Sequence, residues 1–445
     1  ILNPLVSAPI YQITLEYLIL YLPNHCLGEL FKTLNLVVQK YGGSSLENAD
    51  AIKNIALKIK HRTDQGTKIV CVVSAMGNTT DNLIELAHNI TNTPDSRELD
   101  LLLSTGELVS STLLTMAMKS MGIKAISLTG TQAGIFTNKS HGNAKILSIA
   151  SSRIRDELNY NNVVVVAGFQ GFNDSMDITT LGRGGSDTTA VAIAAELNAS
   201  ICEIYTDVEG IFTANPKHVP NAAKLDLVEY EEMLELASLG AKMHPRSIEL
   251  GLVYKMPILV ASSFNDVPGT IITEGENKLN NKNVGEVRNR VRGIATDENI
   301  SRITIGGLDN VPGTATKIFE PLSIADISVD VIVQNSGNDG QTNISFTVKD
   351  NELNTTKTIM EQVCANIDNS SISYDSGLSK ISIVGTGMQD VPGYASQMFK
   401  SLSEANINIE MITTSEIRIT CIIKQEHTSQ AARILHSNFD LDSPN

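Results

Sequence analysis

The sequence predicts an α/β domain, a mostly parallel sheet sandwiched by helices, followed by two small α+β modules. Three observations predict it. Through residues 34–275, short apolar runs rich in β-branched residues alternate with stretches of helical period. Polar, glycine-rich stretches follow directly on those runs. Further on, a strand–loop–helix–strand pattern occurs twice, beginning at Ile303 and at Ile381.

The runs LNLVVQ, KIVCVVSA, IKAISLT, NVVVVAGF, ICEIYT and MPILVAS read as strands covered on both faces, as strands of a parallel sheet are. LENADAIKNIALKIKHR and SDTTAVAIAAELNA have helical spacing and supply the covering layers. Ligands of such sheets bind beyond the carboxyl ends of the strands. KYGGSS, SAMGNTT, TLGRGGSD and TDVEG stand at those ends. The stretch EGENKLNNKNVGEVRNRVR, residues 274–292, has no apolar face and reads as an exposed linker. The two later copies, ITIGGLDNVPGTATKIF and ISIVGTGMQDVPGYASQMF, share a V-P-G turn before a helix, in approximate register. Two copies make two modules rather than a solenoid.

At 445 residues the chain exceeds one hydrophobic core, so two or three domains are expected. A net charge of −15 argues against non-specific binding to nucleic acid or to an anionic membrane. Any phosphate site must be a local basic spot. Five scattered cysteines without a C-x-x-C read as buried apolar residues in a reducing compartment, and a cytoplasmic location is expected. Dispersed histidines make a structural metal improbable. In the first 33 residues the run YLILYL is too short to span a bilayer, and no basic start of a signal peptide precedes it. Residues 1–33 are expected to be a non-native or unordered extension.

Five stretches carry chemistry. In Lys40-Tyr41-Gly42-Gly43-Ser44-Ser45, glycines let backbone approach phosphate oxygens, and Lys40 is a point charge for a phosphoryl group. A tight turn with a solvated lysine is the alternative. SAMGNTT from Ser74 repeats the design without charge and also reads as an N-capping turn. TTLGRGGSDTTA is the strongest: Arg183 among glycines can fork onto a carboxylate, Gly185 and Ser186 add backbone and hydroxyl donors, and Asp187 can orient an ammonium. Thr206-Asp207 ends a strand, where a nucleotide contact or a capped turn both fit. Lys242 in SLGAKMHP reads as a surface lysine without further context.

Together QKYGGSS, LLLSTGEL, VAGFQG, TTLGRGGSDTTA, EIYTDVEGIFT and GAKMHPRS resemble, in order, the amino-acid kinase family. Within it the chain resembles the bacterial monofunctional aspartate kinases with tandem carboxy-terminal ACT domains, over about residues 34–440. The resemblance implies an amino-acid kinase fold on 34–275, a linker and leading strand on 276–298, and ferredoxin-like ACT domains on 299–375 and 376–440. It implies transfer of the γ-phosphoryl of ATP to the side-chain carboxylate of L-aspartate, the first step of lysine, threonine and methionine biosynthesis. Lys40, Asp187 and Lys242 would be catalytic. Ser74, Thr79, Glu107, Arg183, Gly185 and Ser186 would bind aspartate, with Arg183 on its carboxylate and Glu107 near its ammonium. Lys40, Gly42, Gly43, Ser44, Thr206, Asp207, Phe212, Lys217 and Lys242 would face ATP, whose phosphates would hold most of the Mg²⁺ coordination. Lysine, threonine or both would act as effectors on Asp309, Pro312, Gly313, Thr314, Gln334, Asn335, Gln341 and Thr342. A homo-oligomer through the ACT domains is expected, with a separate carboxy-terminal subunit from an internal start as an open alternative.

One departure stands out. Where the family usually reads Y-T-A-D-P-R, this chain has Phe212-Thr213-Ala214-Asn215-Pro216-Lys217. Lysine replaces a fork-shaped guanidinium poorly, so nucleotide affinity is the inherited property most exposed to change. Two other readings remain at this point: a non-catalytic amino-acid sensor in which only the repeats function, and a sibling kinase with a different acceptor. A dinucleotide dehydrogenase is disfavoured, because no G-x-G-x-x-G follows the first strand.

Overall fold

The structure, a computed structural model, describes residues 36–238, 243–274, 291–336, 340–367, 369–386, 388 and 392–442. The segment 1–33, Lys242 and most of the linker expected at 274–292 lie outside the described residues. Contacts divide the chain into two units. The first holds the described residues through Ile211 and those from Lys224 to 274; the second holds Phe212–Ala223 and everything described from 291 onward. The expected first domain, 34–275, is therefore interrupted: twelve residues of its sequence, 212–223, pack with the carboxy-terminal unit.

In the first unit β1 (Leu36–Tyr41) runs through a 3-10 turn into α1 (Ala49–Asp64), and β2 (Lys68–Val73) leads to α2 (Thr79–Ile90) and the long α3 (Ser96–Ser120). There follow β3 (Ala125–Leu128), β4 (Ile135–Thr137), β5 (Ile146–Ile149), α4 (Ser152–Asn159), β6 (Val163–Ala167), β7 (Gln170–Phe172) and β8 (Ile178–Thr180). The unit closes with α5 (Gly185–Leu197), β9 (Ile201–Thr206), β10 (Leu227–Glu229), α6 (Tyr230–Ser238), α7 (Pro245–Tyr254), β11 (Ile258–Ser262) and β12 (Thr270–Thr273). Eight strands form one sheet in the order β10-β12-β11-β9-β1-β2-β6-β3, and β11–β12 is its one antiparallel pair among the described residues. The six strands read from apolar runs all lie in it. β1 has β2 on one side and β9 on the other. The crevice at their carboxyl ends is thus the topological switch point.

Local sequence explains the layers. α1 starts where the Asn48 side chain accepts the N–H groups of Asp50 and Ala51, and it buries Ile52, Ile55, Ala56 and Ile59, a single helical stripe. α5 is small and apolar on all sides and is buried almost throughout, as a central helix must be. Inside the α1 layer, Arg62 donates to Glu203 of β9 at 2.7 and 2.5 Å, and Gln39 of β1 donates to the same carboxylate at 2.8 Å. This pins Gln39 opposite Glu203, and so sets Lys40 opposite Ile204 at the end of the sheet. A second, four-stranded sheet, ordered β5-β4-β7-β8, was not expected from the sequence; its strands are only three or four residues long.

The second unit contains β13 (Gly293–Asp309), α8 (Thr314–Ile324), β14 (Ile332–Ser336), β15 (Gln341–Lys349), α9 (Leu353–Cys364), β16 (Ser371–Val384), α10 (Tyr394–Glu404), β17 (Met411–Thr414), β18 (Arg418–Lys424) and α11 (Thr428–Asn438). Its antiparallel sheet has the order β14-β15-β13-β16-β18-β17. The two α+β modules share its central strands. The second half of β13 pairs with β15, while its first half, Gly293–Asp297, pairs with Lys380–Val384 of β16 beside β18. The expected leading strand thus completes the second module rather than the first. The segment 212–223 belongs to that second module's core: Ala214 and Val219 are buried with Ile383, Ile423 and Leu435. The Thr213 hydroxyl lies 2.8 Å from His436 Nε2, and His218 Nδ1 lies 2.8 Å from the Ser429 hydroxyl.

Candidate active site

Three loops and the long helix α3 meet at the carboxyl end of the central strands. The first follows β1. Lys40 ends with its ammonium 2.6 Å from the Asp187 carboxylate, both side chains 11% exposed. Asp187 lies in the first turn of α5, where the helix dipole favours a negative charge. The α1-side network fixes the strand carrying Lys40, and the first turn of α5 fixes its partner.

The second loop, after β2, is zipped to the first. Gly77 donates to the Gly43 carbonyl at 3.0 Å, and Ser74 donates to the Tyr41 carbonyl at 3.1 Å. A Cβ on Gly43 would lie 2.8 Å from the Ala75 carbonyl oxygen, so only glycine permits this approach. Ser45 is buried and Ser44 exposed. The Thr79 hydroxyl opens α2 by donating to the Met76 carbonyl at 2.6 Å.

The long helix α3 supplies the third side. Its inward face is polar at helical spacing: Asp100, Ser104, Glu107 and Ser111 are all buried. Glu107 Oε1 accepts the Ala75 N–H at 3.0 Å, while its Oε2 is buried with no hydrogen-bond partner among the described residues. Burial pushes this carboxyl up to about 8, against the smaller opposing effect of the Ala75 N–H. A buried polar oxygen left unpaired in this way marks a place where a ligand could supply the missing donor.

The third loop is Leu181–Gly184, leading into α5. Arg183 is exposed, between Gly182 (φ +77°) and Gly184 (φ +67°). Gly185, Ser186 and Asp187 are buried in the first turn. Thr206 ends β9 with its hydroxyl donating to Asp207, 3.1 Å away.

The structure therefore brings Lys40, Gly42, Gly43, Ser74, Glu107, Gly185, Ser186, Asp187 and Thr206 to one end of one sheet. Phe212 and Lys217 fall in the second unit, where Phe212 is half-buried and Lys217 exposed. Lys242 lies outside the described residues. Among the described residues no cluster of His, Cys, Asp and Glu could hold a metal ion. The expected effector residues gather at one end of the first α+β module. Asp309 pairs in register with Gln341, and the Thr342 hydroxyl donates to the Asn335 carbonyl at 3.0 Å. Gly313 (φ +96°) opens α8, and the Thr314 hydroxyl donates to the Asp309 carbonyl at 2.8 Å. Pro312 and Gln334 are exposed beside them.

Sequence reasoning missed Asp100. It accepts the Thr180 hydroxyl at 2.5 Å and the Gly142 N–H at 3.0 Å, and His141 Nδ1 lies 2.8 Å from it. The signal was available as the polar stripe 100, 104, 107, 111 in an otherwise apolar helix.

The model of the amino acid kinase family matches residues 35–262, and that of the ACT domain matches residues 303–363 and 381–439. The aspartokinase of Corynebacterium glutamicum is 44% identical over 411 residues, covering 91% of this chain and 96% of that protein. The aspartate kinase of Pseudomonas putida is 44% identical over 410 residues, covering 92% and 98%. The crystal structure of E. coli aspartokinase III in complex with aspartate and ADP superposes with a TM-score of 0.75 at 24% identity, covering 91% of this chain and all of that one, and so shares the fold. Agreement at this level over nearly the whole length of the relatives means that the chain belongs to the amino acid kinase family, among the aspartokinases, and is a kinase with paired ACT domains.

Proposed function

We propose that the chain transfers the γ-phosphoryl group of ATP to the side-chain carboxylate of L-aspartate, giving 4-phospho-L-aspartate and ADP for lysine, threonine and methionine biosynthesis. The observation that carries the reading is the Lys40–Asp187 pair buried at the switch point among glycine loops. A carboxylate is already a nucleophile, so no general base is required. Catalysis is alignment plus positive charge on the phosphoryl group. Lys40 leaves or shares Asp187 to neutralise the group in transfer, and Asp187 returns it to position. Arg183 forks onto the aspartate carboxylate and Glu107 takes its ammonium, with Ser74, Thr79 and Ser186 completing the pocket. Thr206 and Asp207, at the end of β9, face the nucleotide. Mg²⁺ would be carried mainly by the phosphates, whose charge it offsets.

The test is ADP release with L-aspartate, L-glutamate and N-acetylglutamate as acceptors. Turnover with aspartate alone is expected; faster turnover with either other acceptor overturns the reading. The same assay with lysine, threonine or both tests regulation through the Asp309 end of the first module. There an effector ammonium would meet Asp309 and its carboxylate the N–H groups opening α8. The aspartate-saturation curve is expected to shift in the native protein by about 5–150-fold in apparent affinity, and to stay in place for Asp309→Ala. If neither amino acid shifts the native curve, the regulatory reading falls.

Glu107 gives a pH signature. Below about pH 8 its carboxyl carries a proton in the free enzyme, whereas the aspartate ammonium requires it ionised. Apparent aspartate affinity is therefore expected to rise with pH, about tenfold per unit between pH 6 and 7, and to flatten above 8. Glu107→Gln should bind weakly with no such slope. A flat native profile in calorimetric titrations would remove Glu107 from this role.

A further inference from the structure

The loop carrying Arg183 has no regular structure, and two glycines in left-handed conformation flank the arginine. Left alone, such a loop would give up much conformational entropy whenever Arg183 engaged a ligand. Yet its backbone is held from two sides by groups with no part in the proposed chemistry.

We infer that Arg246 is a positioning residue for substrate recognition: from the first turn of α7 it ties the backbone of the Arg183 loop to the 138–145 hairpin and so fixes where Arg183 is presented. The inference rests on the reading of Arg183 as the aspartate-carboxylate contact. Arg246 Nη1 donates to the Leu181 carbonyl at 2.7 Å and to Asn143 Oδ1 at 3.3 Å, and Nη2 donates to the Ala144 carbonyl at 2.8 Å. A half-buried guanidinium is here committed to carbonyl oxygens of two separate segments, and no carboxylate hydrogen-bonds to it among the described residues. A surface arginine serving solubility has no reason for that geometry; a brace does. Only Gly182 separates the tied Leu181 carbonyl from Arg183.

Other contacts converge on the same loop. Ala144 donates to the Thr180 carbonyl at 2.9 Å, and Asp100 holds both the Thr180 hydroxyl and the Gly142 N–H. On the α7 side a Cβ at Gly184 would lie 2.2 Å from His244 Cβ, so helix and loop are in direct backbone-to-side-chain contact. His244 caps α7 and Pro245 starts it, which makes the first turn carrying Arg246 a rigid platform. The fork is essential to the argument. A lysine ammonium is a point charge and cannot span Leu181 and Ala144 in fixed planar geometry.

The test measures aspartate and ATP affinity, by calorimetry and steady-state kinetics, on the full chain and on Arg246→Met, Arg246→Lys, Arg183→Ala and the Arg246→Met/Arg183→Ala double variant. Arg246→Met is expected to weaken aspartate about 10–100-fold, a cost typical of a misplaced positioning group. The KM for ATP should stay within about twofold, since uniform damage would move both. Arg246→Lys should lie nearer to Arg246→Met than to the native protein. The double variant should bind aspartate no more than about twofold worse than Arg183→Ala alone, because the brace acts through the arginine it presents. Native aspartate affinity in Arg246→Met, equal losses for aspartate and ATP, or additive losses in the double variant each overturn the inference. Should Arg246→Met fail to fold, Arg246→Lys carries the same comparisons. If Arg183→Ala keeps native aspartate affinity, both the reading of Arg183 and this inference fall. If Arg183→Ala loses it while Arg246→Met does not, this inference falls alone.

Discussion

Lys40→Met is expected to lower kcat by about 10³–10⁴-fold, the range for removing a preorganised charge from a phosphoryl-transfer site. The reason is in the geometry. The ammonium is held at the carboxyl end of β1 by a strand whose register is locked by Gln39 and Glu203, and its carboxylate partner is 2.6 Å away. Both groups are nearly buried, so their field is poorly screened and little reorganisation is needed when charge develops on the phosphoryl oxygens. Stability should fall far less than activity. Asp187 loses its cation but keeps the amino-terminal turn of α5. Asp187→Asn should cost less than Lys40→Met, because it frees the lysine without removing it. The double variant should be no worse than Lys40→Met, since the two act as one unit. Single-turnover rates with ATP and aspartate, alongside thermal melts, make the measurement. A folded Lys40→Met protein within tenfold of native kcat would remove Lys40 from the chemistry.

Arg183→Ala should lower kcat/KM for aspartate by about 10²–10⁴-fold, the loss of two charge-assisted hydrogen bonds. The fold should be intact, because the side chain is exposed and makes no hydrogen bond or ion pair within the described residues. A residue that supports nothing in the free protein can be conspicuous only in a complex. Arg183→Lys should recover little, since one ammonium cannot match both carboxylate oxygens. The KM for ATP should barely move, which separates loss of the acceptor from loss of the site. Retention of native kcat/KM for aspartate in Arg183→Ala would end its assignment as the carboxylate contact.

How much of this was legible depended on what each feature leaves in the sequence. The large sheet was readable because its strands are continuous apolar runs such as VVVVA of β6, with glycine loops at their ends. The small sheet was not, because IFT and QGF are too short to show a period. The repeated modules announced themselves, yet β13 divides between them. Alternation reports which face is buried, not which strand is the neighbour. Lys40, Arg183 and Asp187 could be singled out because charged residues among glycines are rare in plain turns. Arg246 could not, because its partners are carbonyl oxygens that every residue possesses. Phe212–Lys217 reads as a nucleotide loop by resemblance alone, and nothing in the letters reveals that Ala214, or Val219 just beyond it, fills the core of the other unit.

That segment changes how the protein can be taken apart. A gene cut in the linker near residue 280 looks like a clean division between catalytic and regulatory halves. It would instead leave the first fragment carrying Ala214 and Val219 with no core to enter, and the second with the His436 and Ser429 polar groups stripped of Thr213 and His218. Any carboxy-terminal polypeptide made alone must refill that gap from its own surface or from a second chain. Chimeras meant to exchange feedback control between relatives therefore require three crossovers rather than one, two of them bracketing Phe212–Ala223 so that the regulatory half brings its own insert.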